Sequence, residues 1–402
     1  MVEKKLFHKI FNICNLYILL WLLYNFHWNN VGTLFPVLDR LSGVFLGVNL
    51  VISGYCTIIV LAKYPKRDFF TILNVLILLF VIYGLFSIVQ GPYVYKANTG
   101  TYIKSGTYMI AALRSFLPIY TFFLFCKLGY ITENIIKAWF WIFLAQTLLI
   151  YMSYRIVLGL EEEDEMITNN RGYLFVYLFP FIYFFRKKPL IQYVLAAVFL
   201  YFTIYSLKRG AILITCLAFA YLFWHQMTNV SNSKKIGAIL VFLFLVYLGS
   251  GVVERMYENS IVFQHRFENT LEGGTSGRTV IAKNLLDIYT RSDMFHVLFG
   301  FGADGTLQFG NYAHNDWLEI LFDQGILGLV VFGFFWWILF RIWRNQVQKK
   351  TELSILLGFV FVCNFPMTLF SMWYSIANIF ITLPLAFSLS RIYKNGKVIR
   401  KS

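Results

Sequence analysis

The sequence predicts an all-α polytopic membrane protein of about twelve transmembrane helices, with one large extracytoplasmic loop between spans 9 and 10. Three observations carry this expectation. Of 402 residues, 58% are hydrophobic and 43 are phenylalanine, and the mean hydropathy is +0.64, more apolar surface than a soluble domain can hide. Apolar segments of about 20 residues follow one another almost without gap, each long enough for a helix to cross the hydrocarbon core. The apolar runs are continuous rather than alternating, which argues against a β-barrel.

The first nine spans are expected at about 8–28, 37–62, 69–90, 106–127, 133–158, 172–186, 190–206, 210–228 and 235–252, and the last three at about 314–340, 353–372 and 375–391. The chain then divides into spans 1–9 (residues 1–252), an extracytoplasmic lid loop with short helices (253–313), spans 10–12 (314–391) and a basic tail (392–402). Residues 1–9 are basic, but the apolar run after them has no small-residue cleavage site and reads as the first span rather than a signal peptide. The sixth span is short, and Arg171 and Gly172 begin it at the interface. Gly43 and Gly47 form a GxxxG in the second span, a pattern that suits close helix packing. Cys14, Cys56, Cys126, Cys216 and Cys363 lie singly within spans, with no CxxC and no metal spacing. They read as small buried apolar residues, and no disulfide framework and no metal are expected.

The net charge of +15 raises the question of nucleic acid, and its distribution answers it. With the N-terminus in the cytoplasm, the cytoplasmic ends hold 22 of the 35 basic residues and four of the 20 acidic ones. The positive-inside rule is met loop after loop, so the basic balance is a topology signal and calls for no nucleic-acid partner. Both termini are expected in the cytoplasm. On the outer side, the 91–105 loop is short and polar, and Glu161–Glu165 is an acid run that reads as a solvated loop rather than a cation site. The 251–312 loop is long enough for a small domain. Its pieces 255–270 and 278–289 look like short amphipathic helices joined by a Gly-rich link, a natural lid over an outward cavity.

Chemistry concentrates around residues 300–332, where a Gly-rich polar loop passes into a long apolar helix. His314, Asn315, Asp316 and Glu319 sit at that junction, and ionisable groups at the mouth of a membrane helix read as a site or as an interfacial helix end. His314 titrates in the range needed for proton transfer near neutral pH. Asp316 and Glu319 are close enough to orient His314, but Asp316, two residues away from it, points elsewhere on a helix; Asn315 and Glu319 are four apart and can meet. Lys208 and Arg209, before Gly210, fall on the outer side, where cations are disfavoured. They are either a pair snorkelling to lipid phosphates or an anion site, because an Arg at a helix start joins its donor fork to the positive helix end. Arg278, in a Gly-rich approach, is either a solvated loop residue or a second clamp on the same anion. Gly300, Gly302 and Gly305 match the dinucleotide fingerprint, but no βαβ unit surrounds them, so the pattern reads as a tight turn. Two outward Arg residues, an outward His and a lid suit a membrane-anchored pyrophosphate: the guanidiniums stabilise charge on the leaving group and the His takes the proton of an attacking hydroxyl.

In order along the chain stand Ser206–Gly210, Ser276–Arg278, Gly300 and Gly302, His-Asn-x-x-Leu-Glu at 314–319, and Gly-Ile-x-Gly at 325–328. This ordered set resembles the O-antigen ligase/O-antigen polymerase family of bacterial surface-polysaccharide enzymes. The resemblance covers about 206–332; the first two hundred residues match only in hydropathy. Lys208 departs from it, standing where the family often has Ser. The resemblance implies an inverting, metal-independent glycosyltransferase without cofactor, on the outer face of the bacterial inner membrane. Its donor would be a glycan on undecaprenyl pyrophosphate. Arg209 and Arg278, with Lys208 adding charge, would hold the pyrophosphate; His314 would activate the acceptor, and Asn315 and Glu319 would support it. The leading expectation is a polymerase joining lipid-linked oligosaccharide repeats into O-antigen or capsule. The alternatives are a ligase moving finished glycan onto lipid A core, and a polysaccharide flippase or transporter. The latter should place ionisable groups near the bilayer midplane. Membrane lipid and a chain-length regulator are the further partners expected.

Overall fold

In the computed structural model the described residues are 13–28, 36–64, 67–97, 99–159, 169–229, 232–259, 277–376 and 379–394, with a few single positions between 260 and 276. The acid run Glu161–Glu165, the N-terminal lysines Lys4, Lys5 and Lys9, His265, Ser276 and the tail beyond 394 lie outside them. The helices are α1 (Ile13–Trp28), α2 (Pro36–Lys63), α3 (Asp68–Gln90), α4 (Thr107–Lys127) and α5 (Glu133–Gly159) in the first part. A composite segment follows: a 3₁₀ turn at Asn170–Gly172, α6 (Tyr173–Leu178) and a 3₁₀ helix at Phe179–Phe185. Then come α7 (Pro189–Tyr205), α8 (Arg209–Asn229) and α9 (Asn232–Asn259). The stretch expected as the lid contributes α10 (Arg278–Thr290), α11 (Met294–Phe299) and α12 (Gly305–Gln308). The chain closes with α13 (Asp316–Gln348), α14 (Leu353–Phe370), α15 (Trp373–Ile376) and α16 (Ile379–Lys394).

This is a polytopic α-helical membrane protein, and seven of the described helices are long and apolar enough to cross a bilayer. Two features depart from what the sequence led one to expect. The 91–105 loop folds into an antiparallel hairpin of β1 (Tyr93–Lys96) and β2 (Thr101–Lys104). Its strands are rich in Tyr, Val, Thr and Ile, residues that suit extended backbone, and Gly100 takes the left-handed turn position at φ 64°. Gly43 and Gly47, read as a packing motif, have no atom within 4 Å of where a Cβ would stand. The side of α2 that packs carries Ser42, Asn49, Ser53, Cys56 and Val60 instead, so among the described residues the close approach that GxxxG permits is not used.

The composite segment is the innermost element. Every residue from 172 to 185 is buried, as expected of a stretch apolar all round. It packs against α5, α7, α8, α14 and α16. Its 16 residues would reach about 24 Å as pure α-helix, short of the ~30 Å hydrocarbon thickness. The 3₁₀ portions rise about 2.0 Å per residue and stretch it to about 29 Å. Pro180 fits this geometry because it sits in the first turn of the second 3₁₀ helix, where its missing N–H costs nothing.

Around this segment one apolar core runs through the bundle, with α4 wedged between α2, α3, α15 and α16. Arg114, inside α4, is a buried cation that hydropathy did not single out; its Nη1 donates to the Tyr24 hydroxyl at 3.1 Å. At the basic end of the bundle, Arg186 donates to Glu133 at 2.9 and 3.2 Å and to Glu352 at 2.9 Å. Arg341 pairs there with Asp68. At the other end, α10 and α11 rest on the first turns of α13 through a separate small core of Leu285, Tyr289, Ala313 and Phe322. α9 runs to Asn259, beyond the expected span end at 252, through the charged Glu254 and Arg255.

Candidate functional site

The site is assembled at the end of the bundle that bears the lid. Ser206 is fully buried between α7 and α8. Its carbonyl accepts the Asn169 N–H at 3.0 Å, and its hydroxyl donates to Thr203 O at 2.6 Å while accepting the Lys208 N–H at 3.3 Å. Leu207 takes the left-handed conformation, φ 54°, in the turn that delivers Lys208 and Arg209 to the start of α8. Gly210 is required by its neighbour: a Cβ there would stand 2.3 Å from the Tyr173 hydroxyl oxygen. That hydroxyl in turn sits against Ser371 and within electrostatic reach of Arg278.

Arg278 opens α10 directly after Gly277, which is left-handed at φ 75°. Its Nη1 donates to the carbonyl of Phe370 at 2.6 Å. One residue earlier, the Leu369 carbonyl accepts from Asn315 Nδ2 at 3.1 Å. These are the unsatisfied carbonyls that end α14, and a cation there also complements the negative helix end. Two neighbouring carbonyls thereby tie together Arg278 and the residue beside His314, which are far apart in sequence.

His314 is half-buried and left-handed at φ 54°. Such a backbone is rare for a side chain with a Cβ and persists only where its surroundings enforce it. Here Glu319 enforces it. Its carboxylate accepts the N–H of Ala313 and of His314, and the Thr306 hydroxyl at 2.7 Å. Asn315 then caps α13, its Oδ1 accepting from Trp317 N at 3.0 Å and Leu318 N at 3.1 Å. Burial, and after it the charges of Arg278 and Lys208, hold the His314 imidazole below its ordinary pKa. The neutral form of the ring is thereby favoured, within electrostatic reach of two cations.

The expected residues thus meet in part. Lys208, Arg278 and His314 lie within electrostatic reach of one another. Arg209 stands next to Lys208 at the helix start, half-buried. Asn315 and Glu319 do not pair through their side chains: Asn315 is spent on the cap and on Leu369, while Glu319 turns into the protein. The cause is that Glu319 lies on the inward face of α13, with Asp316 and Asp323. Asp316 accepts the Trp373 N–H at 2.9 Å, fixing the turn into α15. Asp323 accepts the Gly305 N–H at 2.9 Å. All three carboxylates are no more than 1% exposed. Their spacing of three and four along DWLEILFD puts them on one helix face, a signal present in the sequence. Asp304 is also buried and left-handed, φ 56°. Burial raises its pKa to about 6, opposed by the Tyr312 hydroxyl that donates to it at 3.3 Å and by Lys96 of the hairpin. The same surroundings push the Tyr312 phenol up.

The Gly motifs have a mechanical role. Gly300 (φ 76°, ψ −174°) and Gly325 (φ 65°, ψ −164°) lie where the lid strand crosses the helix after Gln324. A Cβ on Gly300 would meet the Asp323 carbonyl at 2.4 Å, and one on Gly325 the Leu298 carbonyl at 2.4 Å. The crossing is closed by Phe301 N to Phe322 O at 2.8 Å and Gly302 N to Asp323 O at 3.0 Å. Gly325 breaks α13 in two, so that 316–324 belongs to the site and 326–348 to the apolar helix.

No curated protein and no solved structure matches this chain. A family model described as O-antigen ligase matches residues 194–333, a stretch that contains Lys208, Arg209, Arg278 and His314. The match places this part of the chain in the O-antigen ligase/polymerase family.

Proposed function

We propose that the protein is a polysaccharide polymerase of this family. It transfers glycan from an undecaprenyl-pyrophosphate donor to a lipid-linked oligosaccharide acceptor on the outer face of the bacterial inner membrane. The acceptor hydroxyl attacks the anomeric carbon from the face opposite the diphosphate. The new glycosidic bond forms as the bond to the diphosphate oxygen breaks, and the configuration inverts. His314 takes the hydroxyl proton. Arg209, Arg278 and Lys208 receive the charge left on the departing diphosphate, without need of a metal. The observation that carries this reading is an imidazole on a constrained backbone, within electrostatic reach of two cations drawn from remote segments.

Twelve spans with both termini in the cytoplasm complete the proposal. The count is supported by α1, the composite segment, α7 and α16, shorter apolar elements that coincide with expected spans, and by α9. A ligase acting on lipid A core is the second reading, favoured by the description of the matching family. The purified protein with lipid-linked repeat alone should lengthen the chain. Product only on addition of lipid A core would give the ligase. His314→Ala should keep donor binding and lose about 10²–10⁴-fold in transfer rate; unchanged transfer would remove His314 from the mechanism.

A further inference from the structure

Away from His314, at the basic end of the bundle, α3, α13 and α16 leave a cavity of about 230 Å³ between them. Arg67 and Asp68 at the start of α3, Arg341, Asn345 and Lys349 of the α13 end, and Tyr393 of α16 line it. Both guanidiniums are fixed. Arg67 lies over the Tyr393 ring, 4.9 Å from its centroid, and Arg341 over the Trp337 ring at 5.0 Å. Arg341 also donates to Asp68. A contact with a ring face takes up none of the five N–H donors of a guanidinium. Two helix ends meet here: the start of α3, whose N-cap Arg67 makes no side-chain cap, and the last turn of α13. At about half a charge each and of opposite sign, they largely cancel. Three full positive charges against one negative therefore decide the sign of the cavity.

We infer that this cavity binds a phosphate-bearing anion, and that in the membrane its occupant is the headgroup of an anionic phospholipid. Planar guanidinium forks suit phosphate oxygens. Ile338, Ile342 and Ile392 form an apolar wall beside the cations, where the glycerol and upper acyl carbons of such a lipid would lie. The inference does not depend on glycan transfer.

Native mass spectrometry of the full chain in detergent, titrated with phosphatidylglycerol or with phosphatidylcholine, tests it. Phosphatidylglycerol should bind more tightly, and Arg67→Gln and Lys349→Gln should each weaken it about fivefold, the worth of one cation near a lipid surface. Neither variant breaks the Arg341–Asp68 pair. Arg344→Gln with Lys350→Gln, at the same end but outside the lining, should leave binding unchanged. Displacement of the lipid by millimolar inorganic phosphate would keep the anion pocket and make the free anion its occupant. Equal binding of the two lipids, or an equal loss in the Arg344/Lys350 variant, would overturn the inference, because a diffuse basic surface would then explain the data.

Discussion

In the proposed role His314 would act as a base only when unprotonated, and burial with the charges of Arg278 and Lys208 favours that form. With its pKa held below the ordinary value by burial, Arg278 and Lys208, transfer should be complete at neutral pH and fall as pH drops through the depressed value. Removing a neighbouring positive charge raises that value. Lys208→Gln should therefore move the acid limb of the rate profile to higher pH at saturating donor; a limb that stays in place would show that Lys208 does not act on the imidazole. Glu319 is a separate matter, because it holds the backbone of His314. Glu319→Ala leaves buried donors on Thr306 and Ala313 without a partner, at about 1–3 kcal/mol for each unsatisfied group. The expected result is a lower melting temperature and slower transfer with donor affinity kept. That Lys208, Arg278 and His314 come together could be expected from the sequence, because cations and a His at one end of an otherwise apolar bundle are conspicuous. Asp304 and Asp323 were not singled out, and the spacing that puts Asp316, Glu319 and Asp323 on one face of α13 does not say that this face turns inward; Gly305, Thr306 and Trp373, distant in sequence, decide that.

Among the elements, the crossing at Gly300 and Gly325 is the most sensitive to substitution. Both glycines occupy a backbone region that other residues scarcely enter, at about 1–3 kcal/mol each from conformation alone, and the clash with a facing carbonyl comes on top. Gly300→Ala or Gly325→Ala should lower thermal stability and transfer together, measured by melting and assay in detergent. Gly43→Ala, facing open space, should change neither and serves as the control. Helix existence and most boundaries could be read from hydropathy, since burial in lipid or protein imposes the same apolar run. What hydropathy could not supply was the break at Gly325, a backbone angle demanded by a neighbour, and the hairpin at 93–104, too short to stand out from a polar loop.

For the protein as a whole, the orientation rests on charge asymmetry between the two ends. Thr99→Cys, in the exposed hairpin turn, should react with a membrane-impermeant maleimide on intact cells. Lys349→Cys should react only after permeabilisation; the reverse pattern would invert the topology and put His314 on the wrong side for a surface polysaccharide. The composite segment at 170–185 has a consequence for biogenesis. Phe179 packs on Phe359 of α14 at 5.7 Å and Phe184 on Phe387 of α16 at 5.3 Å. Both partners leave the ribosome long after the segment does. Until they arrive, its aromatic rings must rest in lipid or in the insertion machinery, so the native interior closes only after α14 and α16 have been made. A chain terminated after Gln348 should therefore be inserted yet cleared rapidly by membrane proteases in a pulse-chase, rather than persist as a smaller stable bundle.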